Sequence, residues 1–397
     1  MRVLVADKIS PQSLVDLRDL GLNVDYQPEL KAEAIADVAS DANVIVVRST
    51  KVLAAVIEAA PQLSLIIRAG AGVNTIDLEA ASRRGVYVAN CPGKNTAAVA
   101  ELAIGLLIAA DRRIVDASLA LRDGKWKKKE FGAAHGLNGR ALGVLGYGAI
   151  GRAVASRARA LGMRVVAWSR SLTEEMAAQD HIELAESPRA LAAMSDAVTV
   201  HLALSDETRH IVDAEFLGAL RSDAILINTS RGELVDTAAL REAIDEKQLH
   251  VGLDVFEDEP AGGDAEFHDV ALAELVTGTP HIGASTDEAS EAIAAELVRI
   301  VQSYIATGRP VNTVNMCRRT SSTHHLVIRH FNHVGVLASV LDLLRGDGIN
   351  VEEMENTIFE GGQAACCTLS LDRAASEPLL DRIRNSQDIL HVVHEAN

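Results

Sequence analysis

The fold of this chain is decided by residues 141–170, ALGVLGYGAIGRAVASRARALGMRVVAWSR. An apolar stretch, a glycine-rich turn, a helical stretch and a second apolar stretch follow one another there, which is the order of a βαβ unit. Gly146, Gly148 and Gly151 have the GxGxxG spacing: the first allows the tight turn, the second lets backbone N–H groups approach a pyrophosphate, and the third lets the helix pack on the strand. The spacing predicts a bound dinucleotide; a merely tight turn is the alternative.

The same unit carries the residues that choose between NAD and NADP. Ala149 and Ile150 begin the predicted helix, whose N-terminus favours a phosphate. An acidic residue about 20 positions after the glycines would favour NAD, but Ser169 and Arg170 stand there. With no carboxylate at that strand end to repel a 2′-phosphate, we expect NAD or NADP as cofactor, with NADP accepted. The alternative is that Arg170 merely lies over the adenine.

Short apolar stretches alternate with amphipathic helical stretches over most of the chain, which is typical of parallel sheets covered by helices. We predict an α/β protein with two Rossmann-like, doubly wound parallel-sheet domains and a C-terminal ferredoxin-like βαββαβ unit. Predicted strands lie at 2–6, 23–26, 43–47, 64–68 and 85–89 in the first sheet, at 141–145, 164–168, 197–201, 224–228, 250–255 and 274–277 in the second, and at 325–330, 349–359, 364–371 and 389–394 in the tail.

Two long helices are predicted beside these sheets. Residues 96–121 form the first, and its stretch 100–110 is apolar around most of its circumference, so we expect burial both between domains and against a second subunit. Ser285 and Glu288 have the spacing of a capping box that opens the second, which runs to about residue 306 and ends before Gly308. This helix is expected to return to the first domain.

Composition limits the classes of partner. The 397 residues include 38 Lys and Arg against 55 Asp and Glu, a formal charge of −17, which argues against nucleic acid and anionic membrane partners. The longest apolar run is too short to span a bilayer. The four cysteines form no CxxC or His–Cys spacing, so we expect no metal site and a reducing, cytoplasmic location.

Three polar residues follow three neighbouring strands of the second predicted sheet. Arg231 follows the strand at 224–228, Glu259 the strand at 250–255, and His281 the last strand. Each has an ordinary structural explanation on its own. Because ligands of open α/β sheets bind beyond the carboxyl ends of the strands, the three together beside a nicotinamide predict a hydride-transfer site.

Residues 1–315 resemble the D-isomer-specific 2-hydroxyacid dehydrogenases, and within that family the phosphoglycerate dehydrogenase branch. The resemblance implies that Arg231 binds the substrate carboxylate, that Glu259 orients His281, and that His281 is the acid/base. It also implies that Thr229, Arg231, Asp254 and His281 line the nicotinamide end, with Asp254 on the carboxamide. The motifs that carry it are VRSTKV (47–52), RAGAGVNTIDLEAA (68–81), WKKKEFG (126–132), LGVLGYGAIGR (142–152), INTSRGELVD (227–236), GLDVFEDEP (252–260) and PHIGAST (280–286).

The family resemblance also gives expected domain boundaries. A discontinuous substrate domain would take residues 1–96 and 282–317, and the cofactor domain would be inserted between them at 97–281. Residues 322–397 would form the tail domain.

The first domain is expected to bind an anionic 2-hydroxy acid. Arginines at two strand ends of an acidic chain predict a locally positive pocket, although ordinary surface arginines are the alternative. The resemblance implies oxidation of 3-phosphoglycerate to 3-phosphohydroxypyruvate, the first step of L-serine synthesis. A glyoxylate or hydroxypyruvate reductase, and a dinucleotide-sensing corepressor that is not an enzyme, are the rival functions. The expected substrate-binding residues are Arg48, Arg68, Ala71, Gly72, Asn95 and Thr96.

The tail resembles an ACT domain, a small module that senses amino acids. Its segments RHFNHVGVL (329–337) and GINVEEMEN (348–356) carry the resemblance, which implies that His330, Asn332 and Asn350 bind L-serine. A structural dimerisation module, or a sensor with a vestigial catalytic part, are the alternatives. A homodimer or homotetramer is expected on each of them.

Overall fold

The computed structural model describes residues 1–260, 265–317 and 322–396, which fall into two compact units. The first unit, Met1–Asn315, contains two parallel sheets, and the second, Met316–Asn397, contains one antiparallel sheet. The predicted fold class is therefore confirmed. Among the described residues, no helix has both the length and the apolar character needed to cross a membrane.

The first sheet is built from short apolar strands. Most of their residues are buried on both faces, as a parallel sheet covered by helices requires. In chain order the elements are β1 (Arg2–Val5), α1 (Pro11–Asp19), β2 (Asn23–Tyr26), α2 (Ala32–Val38), β3 (Val44–Val47), α3 (Ala54–Ala59), β4 (Leu65–Arg68), α4 (Leu78–Arg83) and β5 (Tyr87–Asn90), and the strands lie side by side as β2-β1-β3-β4-β5.

The second sheet has seven parallel strands. Its elements are α5 (Thr96–Arg112), α6 (Ile114–Arg122), α7 (Lys128–Phe131), β6 (Ala141–Leu145), α8 (Ala149–Ala160), β7 (Arg164–Trp168), α9 (Glu174–Gln179), β8 (Glu183–Leu184), α10 (Pro188–Met194), β9 (Ala197–Val200), α11 (Ala214–Ala219), β10 (Ile225–Asn228), α12 (Thr237–Lys247), β11 (His250–Leu253), α13 (Val270–Ala273) and β12 (Thr277–Gly278). The strand order β12-β11-β10-β9-β6-β7-β8 reverses between β6 and β9, where such sheets hold their ligands.

The predicted single helix over 96–121 is wrong, because the chain breaks it into α5 and α6 at Arg113. That residue has a left-handed backbone, with φ of 49°. Within a single chain the stretch 100–110 is buried on one face, since Leu106 and Leu107 are buried while Glu101 and Gly105 are exposed; its expected burial against a second subunit stays a prediction. One face of α5 packs on α8, β10 and β11, and the other is left open in a single chain.

Two further predictions need correction. The strand expected at 274–277 is only Thr277–Gly278, and the edge strand β8 was not predicted. The last helix of this unit, α14 (Asp287–Thr307), is capped by Thr286 rather than Ser285: the Thr286 hydroxyl accepts a hydrogen bond from the Ala289 N–H. As expected, α14 returns to the first sheet, where it packs against α1 and ends before Gly308.

A buried carboxylate fixes this returning helix. Glu296 is 5% exposed, and its carboxylate accepts hydrogen bonds from the side chains of Arg299 and Asn312. It also forms an ion pair with Lys94, whose Nζ lies 3.2 Å from Glu296 Oε2. The hydrogen bond from Arg299, together with those from Asn312 and Lys94, lowers the pKa of Glu296 to about 2, because these bonds outweigh the opposing effect of burial. The folded state therefore gains stability above about pH 4.3, where the unfolded carboxyl is ionised, and loses it as the pH falls towards 2.

We expect Glu296→Gln to lower the free energy of unfolding at pH 7 by about 3 kcal/mol, since Lys94 and Arg299 lose their charged partner. Urea unfolding curves of the variant and the parent should converge as the pH approaches 2. Glu291→Gln, an exposed glutamate of the same helix, serves as the control. Equal loss of stability at pH 7 and pH 2 would contradict the assignment.

The tail unit has the βαββαβ order. Its elements are β13 (His324–Phe331), α15 (Val336–Gly346), β14 (Val351–Ile358), β15 (Ala364–Leu371), α16 (Glu377–Arg384) and β16 (Ile389–Ala396), and the antiparallel strand order is β14-β15-β13-β16. Both helices pack on one face, over a core that includes Leu326, Ile328 and Leu369. Residues 318–321 and 397 lie outside the described residues, so the expected domain end at 397 is not described.

Candidate active site

The three polar residues predicted at strand ends lie along one edge of the second sheet. Arg231, Glu259 and His281 follow β10, β11 and β12, which are neighbours in the sheet. His281 Nδ1 lies 2.8 Å from Glu259 Oε1. This bond assigns the Nδ1 proton to the side facing Glu259, and Nε2 has no protein partner within the described chain. The arrangement is that of a carboxylate-steadied imidazole with one nitrogen open to a ligand.

A buried aspartate holds the loop that presents His281. Asp254 is 1% exposed; its carboxylate accepts bonds from the Thr279 hydroxyl at 2.6 Å and from the backbone N–H groups of Ile282 and Gly283, each at 2.8 Å. The Asp254 carbonyl also accepts from the His281 N–H. These bonds retain His281 in a left-handed conformation with φ of 52°. The resemblance implied a nicotinamide contact for Asp254; in the structure its carboxylate braces the loop.

The turn that carries Arg231 is braced in the same way. The Asn228 side chain donates to the Arg231 carbonyl at 2.8 Å and accepts from the Ser230 N–H. Gly232 has no room for a side chain, because a Cβ there would lie 2.0 Å from the Phe256 carbonyl carbon. The turn is thus packed directly on the segment that leads to Glu259.

The first domain contributes a cluster of arginines. Arg68 is largely buried, and burial, together with the charges of Arg231 and Arg48, lowers its pKa to about 10. Its Nε has no hydrogen-bond partner in the described chain. The Asp7 carboxylate accepts bonds from the N–H groups of Arg48, Ser49 and Thr50 and so fixes the loop that carries Arg48. Two positive charges that act on a third, largely buried guanidinium call chemically for an anion beside it.

The remaining predicted substrate residues lie around this cluster. The Ala71 carbonyl accepts from Asn90 Nδ2 at 2.5 Å, which anchors the loop 68–73 to β5. Asn95 precedes α5, which begins at Thr96, and Asn95 Oδ1 is buried without a partner in the described chain. Sequence reasoning missed Asp7, Asn90 and Asn228. Each is a polar residue at the end of an apolar strand, which is the signal that would have found them.

Gly72 lets Arg231 reach the first domain. A Cβ at Gly72 would lie 2.5 Å from Arg231 Nη2, which also lies 3.4 Å from Asn74 Oδ1. We expect Gly72→Ala to push the guanidinium aside and to raise the KM for the acid substrate about ten- to a hundredfold. Gly105→Ala, which meets no atom within 4 Å, is the control. An unchanged KM in steady-state kinetics would show that Arg231 does not act from this position.

The glycine turn fits a dinucleotide. Gly146 has φ of 102°, and a Cβ there would meet the His201 carbonyl at 2.6 Å; a Cβ at Gly151 would lie 2.1 Å from the Gly146 oxygen. Gly148 faces open space, and no side chain caps the helix that begins at Ala149 and Ile150. Thr229 Oγ1 is buried at the same edge without a partner in the described chain. An open, uncapped helix N-terminus is what a pyrophosphate requires.

The adenosine end contains one feature that the sequence did not predict. Ser169 and Arg170 do follow β7, but the loop after β9 brings Glu207 near Arg170. Hydrogen bonds from Ser205 and from the Glu207 backbone, followed by the Arg170 charge, lower the pKa of Glu207. Tertiary structure thus brings a carboxylate from 37 residues away toward Arg170, although none stands at the strand end itself.

The three predicted effector residues do not meet within one chain. His330 lies at the end of β13, with Nε2 3.2 Å from Asn356 Oδ1, and Asn332 donates to the Gly362 carbonyl just beyond it. Asn350 precedes β14 and donates to Glu352. Because β13 and β14 are both antiparallel to β15, Asn350 is at the opposite end of the sheet from His330.

The comparisons with known proteins agree with this geometry. Residues 104–283 match the D-isomer specific 2-hydroxyacid dehydrogenase, NAD binding domain. A hydroxypyruvate reductase from Thermotoga maritima is 37% identical over 294 residues, which cover 74% of this chain and 93% of that protein. The chain belongs to the D-isomer-specific 2-hydroxyacid dehydrogenase family.

Other members of the family differ in their named substrate. A D-3-phosphoglycerate dehydrogenase from Methanocaldococcus jannaschii is 37% identical over 318 residues, 80% of this chain, and this chain spans only 60% of that protein's length. An NADPH-dependent glyoxylate/hydroxypyruvate reductase from Sinorhizobium meliloti, solved with NADP and malonate, is 29% identical and covers 80% of this chain and 99% of its own, with a TM-score of 0.69.

Proposed function

We propose that the chain is an NAD(P)-dependent D-3-phosphoglycerate dehydrogenase that oxidises 3-phosphoglycerate to 3-phosphohydroxypyruvate, with His281, Glu259 and Arg231 as its catalytic residues. The observation that carries this choice of substrate is the cluster of Arg48, Arg68 and Arg231: the Arg68 guanidinium is largely buried, close enough to the other two for their charges to help lower its pKa, and its Nε has no hydrogen-bond partner in the described chain. A substrate with a carboxylate and a phosphate neutralises such a cluster, whereas a single carboxylate neutralises only part of it.

The residues divide the chemistry between them. Arg231 holds the carboxylate, and its charge polarises the neighbouring C2–oxygen bond. His281 Nε2 accepts the C2 hydroxyl proton, and Glu259 stabilises the imidazolium that results. The bound nicotinamide supplies the hydride acceptor. Arg48 and Arg68 hold the phosphate, and the loop 68–73 adds backbone N–H groups to the same anion.

A smaller substrate is the second candidate. Hydroxypyruvate and glyoxylate reductases are among the relatives of which this chain covers the larger share, 93% and 81%. The test is turnover with 3-phosphoglycerate, and with glyoxylate and hydroxypyruvate in the reverse direction, using each dinucleotide. A kcat/KM for glyoxylate above that for the phosphorylated pair would overturn the proposal.

Arg170 is proposed to bind the 2′-phosphate of NADP. We expect Arg170→Ala to lower kcat/KM for NADP about tenfold or more, since a charge-assisted bond is lost, and to change kcat/KM for NAD little. Arg164→Ala, an exposed arginine at the other end of β7, is the control. Equal effects on the two dinucleotides would instead support a role over the adenine.

We further propose that the tail is an ACT domain that senses L-serine in an oligomer. His330 and Asn332 of one copy and Asn350 of another can share one ligand if the tails pair at their strand edges.

On the first unit, α6 exposes Ile114, Val115, Leu119 and Leu121, a surface that a second copy would cover. Light scattering tests the oligomer, and activity measured with and without millimolar L-serine tests the sensing role. If serine changes neither the scattering nor the activity, the sensing role is overturned.

A further inference from the structure

A second histidine–glutamate pair lies beside the first. His210 Nε2 is 2.6 Å from Glu257 Oε1, and both side chains are half-buried. Burial alone would raise the pKa of Glu257, but the bonds from His210 and Thr237 lower it below its ordinary range. Glu257 is therefore a carboxylate acceptor at neutral pH, held from two sides. Only one residue separates it from Glu259, the partner of His281.

The pair of Glu257 and His210 connects the loop after β11 with the start of α12 and with the segment that follows the Arg231 turn. Glu257 Oε2 accepts from the Thr237 N–H at the start of α12, and the His210 N–H donates to the Glu233 carbonyl, just after the Arg231 turn. The Gly232 backbone is packed on the peptide between Phe256 and Glu257. The pair thus ties the loop after β11 to the turn that carries Arg231.

His210 adopts a backbone conformation that a side chain usually avoids. Its φ is 53°, and such a conformation persists only where surrounding contacts hold it. Here those contacts are the Glu257 ion pair, the bond to Glu233 and the bridge between Val212 and Val235. Glu259, by contrast, is about one-third exposed, and its side chain is held by the bond to His281. Its position therefore depends on the backbone two residues earlier.

We propose that His210 and Glu257 are a positioning pair that holds the loop of Glu259 against the Arg231 turn, so that Glu259 reaches His281. Neither residue touches substrate or cofactor in this assignment. The inference rests on the proposed function, because it concerns the geometry of the same acid/base residue.

The test compares His210→Ala with His210→Gln, whose amide can still donate to Glu257. His181→Ala is the matched control, because His181 is exposed and has nearly the same backbone, with φ of 54°. We expect His210→Ala to lower kcat about ten- to a hundredfold with little change in the dissociation constant for the dinucleotide. His210→Gln should recover most of the kcat, and His181→Ala should resemble the parent.

A purely structural role predicts a different pattern. It would lower the melting temperature and weaken dinucleotide binding along with kcat, and glutamine would not rescue; that pattern, or an unchanged kcat in His210→Ala, overturns the inference. If the parent turns over none of the acids, the proposed function fails instead. The pair is then judged by NMR of the His281 Nδ1 proton, which should lose its Glu259-bonded signal in His210→Ala and retain it in His181→Ala.

Discussion

Replacing His281 with alanine is expected to lower kcat by about a thousandfold or more, the contribution of a positioned general base. The dissociation constant for the dinucleotide should change little, because the glycine turn at 146–151 and the strand end at Arg170 lie apart from the imidazole. Steady-state kinetics with 3-phosphoglycerate and a fluorescence titration of the reduced dinucleotide measure the two effects separately.

His268→Ala is the control for this experiment, since His268 is exposed and belongs to the stretch that precedes β12. Its kcat should match that of the parent. A His281→Ala variant with near-normal kcat would remove His281 from the mechanism, and with it the role given to Glu259.

Arg231→Lys is expected to have the next largest effect, although the charge is kept. A guanidinium offers two parallel donors to a carboxylate, and an ammonium does not. We expect kcat/KM to fall about a hundred- to a thousandfold, with the loss divided between a higher KM and a lower kcat, because the same group binds the carboxylate and polarises C2–O.

Arg221→Lys provides the comparison, since Arg221 is an exposed arginine paired with Asp196 and lies before β10 rather than after it. Both variants should retain the parent's melting temperature within a few degrees. If lysine at 231 supports full kcat/KM, the carboxylate is held elsewhere in the arginine cluster.

Much of the fold and of the candidate site could be predicted from local sequence. The glycine turn lies between two apolar strands, so spacing and hydrophobicity were enough to place a βαβ unit. The strand-end positions of Arg231 and His281 followed from the rule that parallel strands end at one edge. The edges of individual elements were less reliable, as at residues 274–276: the predicted strand begins there, but the N–H groups of Glu274 and Leu275 bond back to α13 instead.

Other features depend on contacts that no local pattern records. Apolar and helix-favouring residues continue on both sides of Arg113, and no local pattern predicts that its guanidinium lies over the Phe131 ring, 4.9 Å from the ring centroid. Glu207 approaches Arg170 only because two loops meet after β7 and β9. The separation of Asn350 from His330, in contrast, follows from strand direction alone, and a closer use of the βαββαβ topology predicts it.

The return of the chain to its first sheet has a consequence for the order in which the protein is made. Val88 donates to the Asn315 side chain, 227 residues later, and Ala89 bridges to Thr313. During synthesis from the N-terminus, every strand of the inserted sheet leaves the ribosome before α14 and the segment that borders β5. We therefore expect the dinucleotide-binding half to fold first. The first sheet, although translated earlier, would keep the edge at β5 unpaired until residues 313–315 have been made.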